Sequence, residues 1–231
     1  MFDTIQKFLR RTNGDLTDLQ SIDLTSYSPD SAEANRLLQR FLDAAESGDS
    51  YATAVCASCY RAGWGTRIDG DKAFQWAQRA AQTGFAPGVA ELGYCYEEGV
   101  GTEPNAILAL ENLRRAAEAG YSMAALSLAF GFAAGEPYGA SPREAMRYAE
   151  VALQAGEPYA AHLLGNWYEE GKIVPKSEPL ARSWYERAAG LGSQLACMRM
   201  ATAHMNGELG LPRDPKKSAD FIRLAEASAS P

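Results

Sequence analysis

The chain has 231 residues, 46% apolar and 22% charged, which is too much core-forming side chain for an intrinsically disordered segment. Its 29 acidic and 22 basic side chains leave a net charge of −7, which argues against nucleic acid as a partner, since such binders present a basic face to the phosphates. The most apolar stretch, residues 124–135, falls short of the roughly 20 residues that cross a bilayer, so no membrane association is expected.

Along the chain, Asp3, Lys7, Arg10 and Arg11 interrupt any apolar leader, and neither end carries a lipidation motif. A cytoplasmic location is the expectation. Residues 1–30 show no periodicity and are expected to form a helical N-terminal cap. Ala44-Ala45-Glu46-Ser47-Gly48 matches only the end of a repeating unit, so residues 1–48 read as cap plus half repeat.

From there a 36-residue period governs the chain. Gly48, Gly84, Gly120, Gly156 and Gly192 form one series, and Gly63, Gly99, Gly135, Gly171 and Gly207 repeat it fifteen residues later. Units therefore start near 49, 85, 121, 157 and 193, and residues 49–231 read as one continuous array. Eight residues after each first glycine stands Cys56, Leu92, Leu128, Leu164 or Met200; twelve after it stands Tyr60, Tyr96, Phe132, Tyr168 or His204. Residues four apart share a helix face. The small residue between them (Ala57, Gly93, Ala129, Gly165 or Ala201) lets a neighbouring helix approach closely. This segment is helix A of each unit.

Helix B starts at an aligned N-cap: Asp69, Asn105, Ser141, Ser177 or Asp214, the last displaced by a one-residue insertion. Ser141-Pro-Arg-Glu144 adds Pro at the first helical position and a capping-box Glu. Seven residues on come Trp76, Asn112, Tyr148, Trp184 and Phe221, and four further a column of alanines: Ala80, Ala116, Ala152, Ala188 and Ala225. Trp76 and Trp184 are thus expected in the core.

These residues resemble the Sel-one-like repeat family, a relative of tetratricopeptide repeats, most clearly at Ala90-Glu-Leu-Gly-Tyr-Cys-Tyr-Glu-Glu-Gly-Val-Gly101 and Leu164-Gly-Asn-Trp-Tyr-Glu-Glu-Gly171. The resemblance covers about residues 31–228. It implies an all-α right-handed solenoid of five helix–turn–helix units, with scaffolding or regulatory roles. Two features depart from the pattern. Asn112 stands where an aromatic ring is usual, and the loop after Gly135 lacks the second glycine found at Gly65 and Gly101.

Catalytic and metal signals are weak. Cys56-Ala-Ser-Cys59 has C-x-x-C spacing, but both thiols fall in a helical pattern and no second pair supplies further ligands, so buried free cysteines are expected. Cys59 and Cys95 hold the same position in adjacent units. His204 replaces a repeating ring and reads as core. Gly120-Tyr-Ser122 lacks the strand that a nucleophile elbow needs, and Gly99-Val-Gly101-Thr102 lacks the Gly-Lys of a phosphate loop. No catalytic residue, metal site or cofactor is expected, and a hydrolase is the least favoured reading.

By analogy with tetratricopeptide units, helix A residues at +3, +6, +10 and +13 or +14 line a concave groove. In the first two units these are Tyr51, Ser58, Arg61, Tyr94, Glu97 and Glu98; in the third Met123, Leu126 and Phe130; in the fourth Tyr159, His162, Asn166, Glu169 and Glu170. Met198 and Thr202 continue them in the fifth. Aromatic and Met side chains with acidic spots suit an extended peptide, a helix or the basic surface of a folded partner. Trp64, in a loop, reads equally as a contact or as packing. The expected function is a non-enzymatic protein-binding adaptor, the alternative a bacterial immunity or antidote protein that occludes a toxin.

Overall fold

The computed structural model describes residues 27–228. Among them are eleven helices and no strand: α1 (Ala32–Glu46), α2 (Ser50–Ala62), α3 (Gly70–Gln82), α4 (Ala86–Glu98), α5 (Ala106–Glu118), α6 (Ser122–Ala134), α7 (Pro142–Gln154), α8 (Pro158–Glu170), α9 (Glu178–Gly190), α10 (Gln194–Asn206) and α11 (Pro215–Ala227). Most of the expected N-terminal cap lies outside the described residues. The chain divides after Leu128 into two compact units. In the first, α1 packs on α2, α2 on α3, α3 on α4 and α4 on α5, while α2 also touches α4. In the second, α7 through α11 pack each on the next.

Local chemistry explains the helix boundaries. Asp69 accepts from the Lys72 amide at 3.0 Å, Asn105 from Leu108 at 3.0 Å, Ser141 from Glu144 at 3.3 Å, Ser177 from Leu180 at 3.5 Å and Asp214 from Lys217 at 3.0 Å. Each cap satisfies a donor that the first turn leaves without a partner. The same residues' own amides reach back to the ring-bearing +12 position of the preceding helix. Asp69 donates to the Tyr60 carbonyl, Asn105 to Tyr96, Ser141 to Phe132, Ser177 to Tyr168 and Asp214 to His204, at 2.7–3.0 Å. One bond therefore closes every A–B loop. It also leaves the expected capping box at Ser141 half-formed, because the Ser141 amide is already engaged and Glu144 pairs instead with Arg147 at 2.8 Å.

The alanine column is buried throughout. Its small side chains let the helices approach, as do the helical glycines: a Cβ on Gly165 would stand 2.7 Å from the Tyr185 ring. The loop glycine Gly101 serves a different contact. At φ +66°, its Cα lies so near the start of α3 that a Cβ would fall 2.1 Å from the Gly70 carbonyl oxygen. The loop thus rests backbone to backbone on the first residue of α3.

Trp76 and Trp184 differ from expectation, and Trp64 takes the packing alternative. Trp64 is 1% exposed and among the largest fully buried side chains, in a cluster with Phe41, Tyr51 and Val55. Trp76 and Trp184 are only half-buried, and Arg79 and Arg187 lie over their rings, with guanidinium carbons 4.2 and 5.2 Å from the ring centres. Asn112 is buried, its amide donating to the Leu108 carbonyl at 2.8 Å.

Candidate functional site

In the first unit much of the expected groove stripe is interior. Tyr51, Ser58, Arg61, Tyr94 and Leu126 are all buried, which corrects their reading as an open surface. For Arg61 the cover is the following A helix. Arg61 of α2 donates from Nε to Glu91 of α4 at 3.2 Å and from a terminal nitrogen to Glu98 at 3.3 Å, with its guanidinium 5.4 Å from the centre of the Tyr94 ring. The Arg61 and Glu91 side chains are 5% and 4% exposed. Tyr94 in turn bonds through its hydroxyl to Ser127 at 3.2 Å, and burial holds its phenol protonated. Met123 and Glu97 are half-buried and Glu98 is exposed.

In the second unit the stripe is more open and its members meet. The Phe130 and Tyr159 rings lie 6.4 Å apart, Tyr159 and His162 5.8 Å, and His162 and Tyr185 5.4 Å. Phe130 is 42% exposed. Tyr185 is fully buried, and its hydroxyl lies 2.5 Å from Asn166 Oδ1 and 2.7 Å from Glu169 Oε2. A phenol carries one proton, and the carboxylate is the stronger acceptor. The Asn166 amide nitrogen lies on the other side, 3.4 Å from His162 Nε2. Burial lowers the His162 pKa, with Glu169 opposing it, so the ring is neutral at physiological pH.

Glu169 also accepts from Arg199 Nε at 3.0 Å and from its terminal nitrogen, and Arg199 pairs on its other side with Glu208 at 2.8 Å. The bond from Arg199, and after it the Tyr185 hydroxyl, hold Glu169 below the usual carboxylate range despite partial burial. Glu170 is exposed and pairs with Lys172 at 3.2 Å. On α10 the stripe opens fully. Leu195 is 56%, Met198 48% and Met205 39% exposed, with Thr202 exposed between them.

Sequence reasoning missed Glu91, Tyr185, Arg199 and Glu208. Glu91 and Arg199 had a partial signal: both occupy the +7 position, where the other units carry Val55, Ser127 and Leu163 and none carries a charge. A charge at such a position needs a partner nearby. Glu208 had none, since it lies in the loop that carries the insertion.

All four cysteines are free and fully buried. Burial pushes the Cys56 and Cys95 thiols up to about 12, so at pH 8 about one in ten thousand is thiolate. His204 is core, stacked on Phe221 at 5.6 Å. We expect no thiol of the native protein to react with Ellman's reagent within minutes, and all four to react in guanidinium. Rapid labelling of one native thiol would contradict this burial. Among the described residues no three His, Cys, Asp or Glu side chains form a metal-ligating group, and no helix is long and apolar enough to cross a membrane.

No curated protein gives a significant match. The chain is similar in structure to a Sel1 repeat protein from Oxalobacter formigenes, at 23% identity and a TM-score of 0.66, over 86% of this chain and 82% of that one. It is also similar to c5321, a protective antigen of uropathogenic Escherichia coli with an SLR fold, at 24% identity and a TM-score of 0.67, over 85% of this chain but only 42% of that one. The immunity protein Pa5087 from Pseudomonas aeruginosa aligns over 97% of this chain and 82% of its own, at 21% identity and a TM-score of 0.61. These likenesses concern the fold, an all-α repeat solenoid. Residues 50–85, 86–121, 158–193 and 194–228 each match the Sel1 repeat, and with more than half its length so matched the chain belongs to the Sel1 repeat family.

Proposed function

We propose that the chain is a non-enzymatic adaptor that binds another protein through the open helix A face of its second unit. Sel1 repeat proteins mediate protein–protein interaction. One observation carries the choice of surface. Positions that are interior in α2 (Tyr51, Ala54, Ser58 and Arg61) stand open in α10 as Leu195, Met198, Thr202 and Met205. Solvent-facing Leu and Met in one row cost hydration free energy that a partner would recover. Met adapts to irregular surfaces. Phe130 supplies an exposed aromatic anchor, with Tyr159, His162, Asn166 and the carboxylates of Glu169 and Glu170 as its polar border. The cytoplasm is the proposed compartment, since four free thiols persist in a reducing environment.

A second reading is an immunity role, in which one effector is held and occluded. The near full-length likeness to Pa5087 favours it, and a net charge of −7 would speed encounter with a basic effector. A single stoichiometric partner supports occlusion; several weak partners support the adaptor.

The test pairs Phe130→Ala with Met198→Ala. Both side chains are exposed, so the double variant should keep its helicity and melt within about 2 °C of the parent, since surface changes stay near ±0.5 kcal/mol. Partner retention on affinity purification should fall at least tenfold. Undiminished retention by the folded variant would move the binding surface elsewhere.

A further inference from the structure

Two pairs of consecutive A helices are locked at one register. Arg61 of α2 bonds Glu91 of α4, and Glu169 of α8 bonds Arg199 of α10, 30 residues apart in each case. Each link joins the +13 residue of one A helix to the +7 residue of the next, with the charges exchanged. The covering helix reaches across with residues spaced three and four apart. Glu91 lies 3.2 Å and Glu98 3.3 Å from Arg61, and the Tyr94 ring between them lies 5.4 Å from its guanidinium. Such spacing makes one helix face, the seam along which helices pair lengthwise.

The covered helix presents its +3, +6, +10 and +13 residues. In α2 these are Tyr51, Ala54, Ser58 and Arg61, all buried. In α8 they are Tyr159, His162, Asn166 and Glu169, all half-buried. In α10 the same four, Leu195, Met198, Thr202 and Met205, are exposed. None is charged, and Thr202 donates its hydroxyl proton to the Met198 carbonyl at 3.0 Å. Thus α10 presents the seat of an A–A contact with no A helix on it among the described residues.

The contact that this seat repeats indicates what fits it. An extended peptide would bring N–H and C=O groups that find no partner on α10, whose backbone is spent within its own helix. A helix arrives with its backbone bonds already made. The row is one side chain wide and about 15 Å long at 1.5 Å per residue, nearly three helical turns. Met205 stands where Arg61 and Glu169 hold their partners, so a charge set against it would be desolvated with nothing to pair.

We propose that this row seats one helix of the protein partner, laid along α10 as α4 lies on α2, through an uncharged apolar heptad seam. The inference rests on the protein-binding reading for the existence of that partner, though not for the row's preference for such a seam.

The probes are stapled helical peptides of about five turns, titrated into the full ¹⁵N-labelled chain. One carries leucine along its heptad seam, and the second carries Glu at the two seam places that Glu91 and Glu98 hold in α4. A third, with its leucines moved off the seam, controls for composition. Saturable shifts of the amides from Leu195 to Met205 are expected with the leucine peptide, at about tenfold higher affinity than with either other peptide. Met205→Arg, at an exposed site, presents the side chain that α2 carries at Arg61 and should turn the preference toward the Glu peptide while the thermal transition stays unchanged. Equal affinity for all three peptides, shifts lying outside α10, no binding, or an unaltered preference in Met205→Arg would overturn the proposal. Concentration-dependent shifts of the same amides in the peptide-free chain would also overturn it, in favour of a second copy. Seating of the leucine peptide in a chain whose partner ignores Phe130 and Met198 would refute the proposed stripe and leave the row's preference standing. Partner retention that depends on both residues, without discrimination among the peptides, would refute the helix seat alone.

Discussion

Arg61→Met is expected to destabilise the first unit by about 3–5 kcal/mol, the range for breaking a buried ion pair at one end. Glu91 would be left at 4% exposure with no cation paired to it among the described residues, and the Tyr94 ring would lose the guanidinium that lies against it. Glu98, at 37% exposure, can turn to water and contributes little to the loss. Replacing both partners, Arg61→Met with Glu91→Leu, should recover most of the stability, because two apolar side chains of similar bulk need no counter-charge. Urea unfolding checks this through the midpoint at unchanged m-value. A single-variant cost below about 1 kcal/mol would mean that water reaches the pair and that α2 and α4 are less closely joined than described.

Gly101→Ala should be comparably damaging, at about 3 kcal/mol or more, from left-handed strain together with overpacking. The Cβ would lie 2.1 Å from the Gly70 oxygen and 2.7 Å from its carbonyl carbon, so backbone must move and no side chain can yield in its place. Gly84→Ala and Gly120→Ala are the matched controls. Both residues have positive φ, at +74° and +88°, but nothing lies within 4 Å of the added carbon. Each should cost only about 1 kcal/mol, the price of the backbone conformation alone. Equal losses at all three positions would show that loop stacking adds nothing and that strain explains the glycine series.

The period was legible because it is enforced locally. Caps at Asp69, Asn105, Ser141, Ser177 and Asp214 act within their own first turn, and the alanine column needs only a neighbour's approach. Exposure was not legible in the same way. The +10 position holds Ser58, buried, and Thr202, exposed, although both are small hydroxyl residues at identical register. What differs is the cover supplied by the next A helix, as Glu91 and Tyr94 of α4 cover Arg61 of α2. A position's register fixes its direction, and only the assembled neighbours decide whether water reaches it. Trp64 illustrates the same limit from the other side, a loop residue buried because α1 and α2 enclose it. The charged pairs were half legible. Glu91 and Arg199 stood out as charges at a position uncharged in the other repeats, yet Arg61 and Glu169, their partners on the preceding A helix, lie at a 30-residue spacing no motif announces.

The most direct test of the proposed surface is hydrogen–deuterium exchange on the full chain, free and saturated with the partner recovered by affinity purification. Protection gained over Tyr159–Glu170 and Leu195–Met205, with α3 and α5 unchanged, is the expected result. Protection confined to the helices B, or to residues before Leu128, would contradict a binding surface on the open A helices of the second unit.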